Sequence, residues 1–280
     1  MGFCTSADGL RLSYTEFGHG EPVLVLAGGP GMYAGYMMPI VDELARYHRV
    51  ILPDQRGTGT SERPDNLDGY AMQHYVDDVK ALREHIGIQN WSIVGHSWGG
   101  WLAEAYAANY PDHVSKLILI GSCGPGIDFL QPALDQLRSR FTEEDNERAR
   151  IANEPARIAS DPDLVASENL QASMPCLFAD RKKGEAFRDS FNGTFSTYGI
   201  FGAVMRSLAK ENYDLVPALR QLQAPALFIH GDYDHIPIEF PTKAAEAMPH
   251  ARLERMERCG HFPWIEQPQR FFELIHGFID

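Results

Sequence analysis

Trp91-Ser92-Ile93-Val94-Gly95-His96-Ser97-Trp98-Gly99-Gly100-Trp101 is the most informative stretch of this 280-residue chain. Its first four residues form a short apolar run of the kind a strand buried on both faces requires. From Trp101 to Asn109 the pattern becomes helical. Between them lies Gly-x-Ser-x-Gly followed by another glycine, so one serine sits on a sharp strand-to-helix turn where bulkier neighbours would collide. The helix behind it presents unpaired N–H groups, including that of Trp98, toward any negative charge developing at the turn.

Outward from this stretch, similar apolar runs recur. Val23–Leu26, Arg49–Leu52, Lys116–Ile120 and Ala226–Ile229 each read as a strand, and Gly, Pro or polar residues follow; Arg252–Met256 is read as a further strand. Helical patterns over Tyr75–His85, Trp101–Asn109 and Gln269–Ile279 alternate with them, and Asp8-Gly9 marks a hairpin turn near the start. This alternation predicts an α/β fold, a mostly parallel sheet with flanking helices. From Gly124 to Tyr213 the rhythm breaks into helical, charged stretches such as Thr142–Ala152 and an aromatic part over Phe187–Phe201. The expected organisation is a core of residues 1–123 and 214–280 with an inserted helical cap over 124–213. No internal repeat or low-complexity linker interrupts it.

A serine hydroxyl needs a base to take its proton, and the base needs an acid to hold its tautomer. Candidates follow later strands in the order Ser, Asp, His. His230-Gly231-Asp232-Tyr233-Asp234-His235 follows the Ala226 strand, and Cys259-Gly260-His261 follows the Arg252 strand. His261 is the expected base, and either Asp232 or Asp234 could orient it. Ala27-Gly28-Gly29-Pro30-Gly31 follows the Val23 strand and brings a backbone N–H close to substrate with no side chain in the way. Together with the Trp98 N–H it would form an oxyanion hole. The loop lacks the Lys-Ser/Thr of a phosphate-binding P-loop and does not fit GxGxxG.

Ala27-Gly28-Gly29-Pro30-Gly31, Asp54-Gln55-Arg56-Gly57-Thr58-Gly59-Thr60-Ser61, Gly95-His96-Ser97-Trp98-Gly99-Gly100 and Gly260-His261 together resemble the α/β-hydrolase fold, and within it the proline iminopeptidase family. The resemblance covers nearly the whole chain and is strongest in the core. It implies Ser97 as nucleophile, His261 as general base and Asp234 as orienting acid, with Gly29 and Trp98 as backbone oxyanion donors. The implied activity is release of N-terminal proline or another small residue from short peptides. Two departures bear on substrate. The histidine usual at the start of the HGGPG motif is Ala27 here, and the glutamate that often follows the triad aspartate to hold a free α-amine is His235. A cap carboxylate could compensate, with Glu154, Glu168, Glu185 and Glu211 as candidates and nothing in the sequence selecting one.

The bland reading is expected elsewhere. Asp54 and Arg56 brace a turn, Trp101 and Trp264 pack, and Cys259 is a buried, inert thiol. His96, His230 and His235 lack metal-ligand spacing, so no metal and no cofactor is expected.

Composition bounds the rest. Apolar residues make up 44 %, and 25 Lys+Arg against 38 Asp+Glu give a net charge of −13 with His neutral. That balance argues against nucleic-acid binding and against anionic membranes. The partner expected is a small-molecule or short-peptide substrate. Cys4, Cys123, Cys176 and Cys259 form no CxxC pair and read as free thiols. With no secretory leader pattern and no apolar run of membrane-spanning length, a cytoplasmic location is expected. Met1-Gly2-Phe3-Cys4-Thr5-Ser6 matches a loose myristoylation pattern and is read as chance.

The same machinery suits a carboxylesterase or amidase on small molecules, the main alternative. Ser97 disfavours the dehalogenase and epoxide hydrolase branches, which need a carboxylate at that turn. A non-catalytic ligand receptor on the same scaffold is a third reading, and fold alone does not exclude it.

Overall fold

The computed structural model describes residues 1–279. Strands β1 (Gly2–Thr5), β2 (Arg11–Phe17), β3 (Pro22–Leu26), β4 (Arg49–Pro53), β5 (Trp91–His96), β6 (Val114–Ile120), β7 (Ala226–Gly231) and β8 (Ala251–Met256) form one eight-stranded sheet. Their spatial order is β1-β2-β4-β3-β5-β6-β7-β8. Only β2 runs against its neighbours; β4, β3 and β5 to β8 are parallel. The Asp8-Gly9 turn joins β1 to β2 as the sequence suggests, with Thr5 opposite Arg11.

Helices α1 (Met38–Leu44), α2 (Met72–His85) and α3 (Trp98–Asn109) belong to the first half of the chain. Between β6 and β7 come α4 (Leu130–Arg138), α5 (Glu143–Ala152), α6 (Pro155–Ser160), α7 (Pro162–Ser173), α8 (Arg181–Asp189), α9 (Ile200–Glu211) and the short α10 (Val216–Leu219). The helices α11 (Glu239–Ala247), α12 (Pro263–Glu266) and α13 (Pro268–Ile279) complete the chain.

The runs of β3, β4 and β7 are continuously apolar because both faces of the sheet are covered there. Leu24, Leu26, Ile93, Leu117, Leu119 and Phe228 point to one face, where they pack with Tyr75 and Val79 of α2, Leu102 and Tyr106 of α3, and Ala244 of α11. Val23, Val25, Val94, Ile118, Ile120 and Ile229 point to the other, against Ile40 and Leu44 of α1 and Phe271 and Ile275 of α13. The period-two alternation of each strand divides the core into these two layers.

The stretch between β6 and β7 holds helices and no strand among the described residues. Its local signals are explicit. Thr142 caps α5 in a reciprocal capping box with Asp145, and Asp161 caps α7 ahead of Pro162. An antiparallel bridge pairs Met32 with Ser196, Tyr33 N–H donates to Phe195 O at 2.8 Å, and Thr197 N–H donates to Gly31 O at 2.9 Å. These bonds fasten the helical stretch to the loop after β3.

Arg56 braces the opposite side. Its guanidinium, 1 % exposed, donates to both oxygens of Asp78 on α2, at 2.7 and 2.6 Å, and to Asp8 in the β1–β2 turn at 2.9 Å. Asp54 accepts from Ser13 Oγ and Thr60 N. Both residues hold turns, as expected.

Candidate active site

The sheet order reverses direction between β3 and β5, so the loops at their carboxyl ends diverge and leave a crevice. Gly28 and Gly29 lie on one side of it and Ser97 on the other. Ser97 takes φ 55° and ψ −119°, a conformation strained for a residue with a Cβ. Its N–H donates to Ile120 O at 2.7 Å, and its carbonyl accepts from Gly100 N and Trp101 N. The turn fits only because its neighbours are small. A Cβ on Gly99 would lie 2.2 Å from Leu26 O.

His261 follows β8, and its Nδ1 donates to Asp234 Oδ2 at 2.8 Å. His261 N–H in turn donates to Leu177 O at 2.7 Å. Asp234 follows β7, and its other oxygen accepts the Ile236 N–H at 3.0 Å. Burial works against the Asp234 anion, but the imidazoles of His261 and His230 and the hydrogen bonds it accepts hold its carboxyl well below the usual range. A Cβ on Gly121 would come within 2.9 Å of both Asp234 Oδ2 and His261 Nδ1, so the loop after β6 is part of this fit.

The choice left open by the residues is resolved by geometry: Asp234 meets His261. Asp232 instead accepts from Cys259 N at 3.3 Å and sits 4.0 Å from Arg255. The Asp234 carbonyl is itself held from the helical stretch, by Gln136 Nε2 at 2.9 Å and Arg140 Nη2 at 3.1 Å. Neither Gln136 nor Arg140 was singled out from sequence.

Ser97 and His261 line one cavity of about 210 Å³. Leu130, Ala133, Leu134 and Leu137 of α4 form one wall, at the i, i+3, i+4, i+7 spacing of a helix face. Leu170, Phe201, Met205 and Phe262 add apolar surface. Trp101, expected only to pack, lines the cavity as well. Among the described residues lining it there is no carboxylate, lysine or arginine. The four glutamates singled out from the cap are elsewhere. Glu168 pairs with Arg157, Glu154 lies 3.5 Å from Arg150, Glu185 lies 3.3 Å from Arg181, and Glu211 accepts from Ser207 at 2.6 Å. His235 does line the cavity, and burial pushes its pKa down to about 4, so the imidazole there is neutral.

Cys123 shares the cavity and lies beside Ser97. Burial, with Glu104 and Asp234 nearby, pushes its thiol well above the ordinary value, which leaves it a poor nucleophile. Cys259 is buried and its thiol is likewise raised by burial. All four cysteines are free. Asp234, His235 and His261 place donor atoms within 4.8 Å of one another, but His261 Nδ1 and Asp234 already satisfy each other, so a cation there would have to part them. No helix among the described residues is long and apolar enough to cross a membrane.

The loop that faces Ser97 is equally ordered. The Gly28 N–H is taken by Tyr36 Oη, whereas the Gly29 N–H donates to no backbone or side-chain partner among the described residues. Trp98 is the first residue of α3, where N–H groups have no partner within the helix. Gln55 and Tyr36, which hold this loop, carried no local signal beyond the position of Gln55 in Asp54-Gln55-Arg56-Gly57.

Known proteins resemble this chain over nearly its whole length. The sequence pattern of the α/β-hydrolase fold matches residues 21–268. A proline iminopeptidase of Heyndrickxia coagulans is 26 % identical over 97 % of this chain and 96 % of its own length. A 2-hydroxymuconate semialdehyde hydrolase of Pseudomonas putida is 30 % identical over 98 % of this chain and 92 % of its own. The solved esterase of Thermogutta terrifontis superposes with a TM-score of 0.74 at 25 % identity, over 99 % of this chain and 97 % of that one.

Proposed function

The chain belongs to the α/β-hydrolase fold family, and on that premise we propose that it is a serine hydrolase acting through an acyl-enzyme on esters or amides of small apolar acids. Ser97 Oγ attacks the carbonyl carbon while His261 Nε2 takes its proton. Asp234 holds Nδ1–H and stabilises the imidazolium. The tetrahedral oxyanion is received by the Gly29 and Trp98 N–H groups, each worth about 3 kcal/mol of transition-state stabilisation. Collapse breaks the bond to the alcohol or amine, which leaves with the proton from His261. Water then repeats the sequence to release the acid and restore Ser97. Residues 124–213 act as a cap that closes the acyl site.

The observation carrying this substrate class is the uncharged cavity wall around Ser97 and His261. An N-terminal ammonium would lose its hydration there without gaining a carboxylate. His235, neutral where the resemblance leads one to look for glutamate, offers no counter-charge. Release of N-terminal proline is the second reading, supported by full-length similarity to proline iminopeptidases.

The test compares kcat/KM for p-nitrophenyl butyrate, proline p-nitroanilide and its N-acetyl form, with Ser97→Ala as control. Turnover of the butyrate with little of either anilide supports the ester reading. A strong preference for the free-amine anilide overturns it in favour of the aminopeptidase. Tight ligand binding with no turnover in any library supports a receptor.

A further inference from the structure

The peptide unit joining Ala27 to Gly28 is gripped at both ends. Its carbonyl oxygen accepts from Gln55 Nε2 at 2.8 Å, and its N–H donates to Tyr36 Oη at 2.5 Å. Each grip leads back to a neighbour of Ser97. Gln55 Oε1 accepts the Trp98 indole N–H at 2.8 Å, and Tyr36 Oη lies 2.8 Å from His96 Nδ1. The residues just before and just after Ser97 thus hold, through one side chain each, the peptide that precedes Gly29.

The direction of each bond follows from chemistry. His96 Nε2 lies 2.9 Å from His261 O, which can only accept, so the proton is on Nε2. Burial, with His261 beside it, keeps His96 neutral, and its Nδ1 is then an acceptor. Tyr36 therefore donates to His96 and accepts from Gly28. The chain runs unbroken from the loop after β3 to the backbone of His261, through two buried side chains.

The loop needs this support because of what Gly28 must do. A Cβ there would lie 2.9 Å from Ser97 Cβ and from His96 Nδ1, so only glycine fits. Two glycines in succession leave the backbone free to turn. A planar peptide held at one end can still rotate about its Cα–Cα axis, whereas one held at both ends cannot.

We propose that this double grip sets the oxyanion hole: Gln55, Tyr36 and His96 are positioning residues that fix the plane of the Ala27–Gly28 peptide, and so the aim of the Gly29 N–H, relative to Ser97. The proposal rests on the serine hydrolase reading above.

Tyr36→Phe removes one oxygen and with it one grip. Gln55→Glu keeps an acceptor for the Trp98 indole and loses the donor to Ala27 O. Each variant is expected to lower kcat on p-nitrophenyl butyrate about 10- to 100-fold while KM moves less than about threefold. Inhibition by butylboronic acid, whose serine adduct places an oxygen in the same hole, is expected to weaken in step with kcat. Because both grips hold one plane, the double variant is expected to lose less than the product of the single losses.

Unchanged kcat and boronate inhibition per folded molecule, even with a lowered Tm, would overturn the grip and leave a purely structural role. If Tyr36→Phe does not fold, an unaffected Gln55→Glu overturns it alone. A wild type that neither turns over the ester nor binds the boronate at Ser97 overturns the serine hydrolase reading, and the grip with it.

Discussion

Ser97, His261 and Asp234 act as one unit in this account, so removing one forfeits most of the rate. Ser97→Ala is expected to fold normally and lose on the order of a millionfold in kcat. Asp234→Asn leaves the geometry but offers the wrong partner to His261, and about 10⁴-fold should be lost. Asp232→Asn, remote from the imidazole, should cost little; the reverse ranking in steady-state kinetics would reassign the acid. Glu104 gives a separate, pH-dependent prediction. Its side chain is fully buried with Ser122 as partner, and burial raises its pKa to about 8. The unfolded glutamate ionises near 4.5 and the folded one only near 8, so its contribution to stability is complete below the first value and is lost as pH rises through the second. Glu104→Gln should therefore leave Tm nearly unchanged at pH 4 and raise it at pH 8. Each unit of pKa elevation represents roughly 1.4 kcal/mol. Equal Tm differences at the two pH values would show that Glu104 ionises normally. Ser97 and His261 were legible because each stands in a motif whose signal is local. Asp234 was separable from Asp232 only by family likeness, since loop packing decides which carboxylate faces the imidazole. Tyr36 and Gln55 were not legible, because the partners that tie them to the neighbours of Ser97, His96 and Trp98, lie 60 and 43 residues away.

Strands and helices were read from apolar runs and periodicity, and that reading works where an element's environment matches its local pattern. Val23–Leu26 and Ala226–Ile229 became β3 and β7 because burial on both faces selects continuous apolar sequence. Helix starts were placed late: Tyr75 for α2, which begins at Met72, and Trp101 for α3, which begins at Trp98. For α3 the glycines after Ser97 carry no apolar pattern, although the turn feeds straight into the helix. The stripe on α4 was present in Leu130, Ala133, Leu134 and Leu137, but an amphipathic face does not say what it covers. Arg56 is the clearest energetic element-scale test. It joins the β1–β2 turn, the loop after β4 and α2, and its removal would leave Asp8 and Asp78 without their cation. Arg56→Leu is expected to lower unfolding free energy by about 3–5 kcal/mol in urea titration. A change under about 1 kcal/mol would mean that Asp8 and Asp78 are relieved by water or a proton once the guanidinium is gone.

Viewed as a whole, the molecule combines an acidic chain of net charge −13 with an uncharged cavity beneath a helical stretch. Net charge bears on solubility and on the surface field, but it does not describe the cavity, which tertiary packing alone assembles. That is why the fold was legible from sequence while the shape and polarity of the cavity had to await the position of α4, α7 and α9 around Ser97. The central claim is that Ser97 becomes covalently acylated. Rapid acid quench of wild type turning over p-nitrophenyl butyrate, followed by intact-mass and peptide analysis, tests it directly. The account predicts one butyryl group on the peptide containing Ser97, formed at the rate of the p-nitrophenol burst and absent in Ser97→Ala. Undiminished turnover by Ser97→Ala, with no acylated peptide in the wild type, would contradict it.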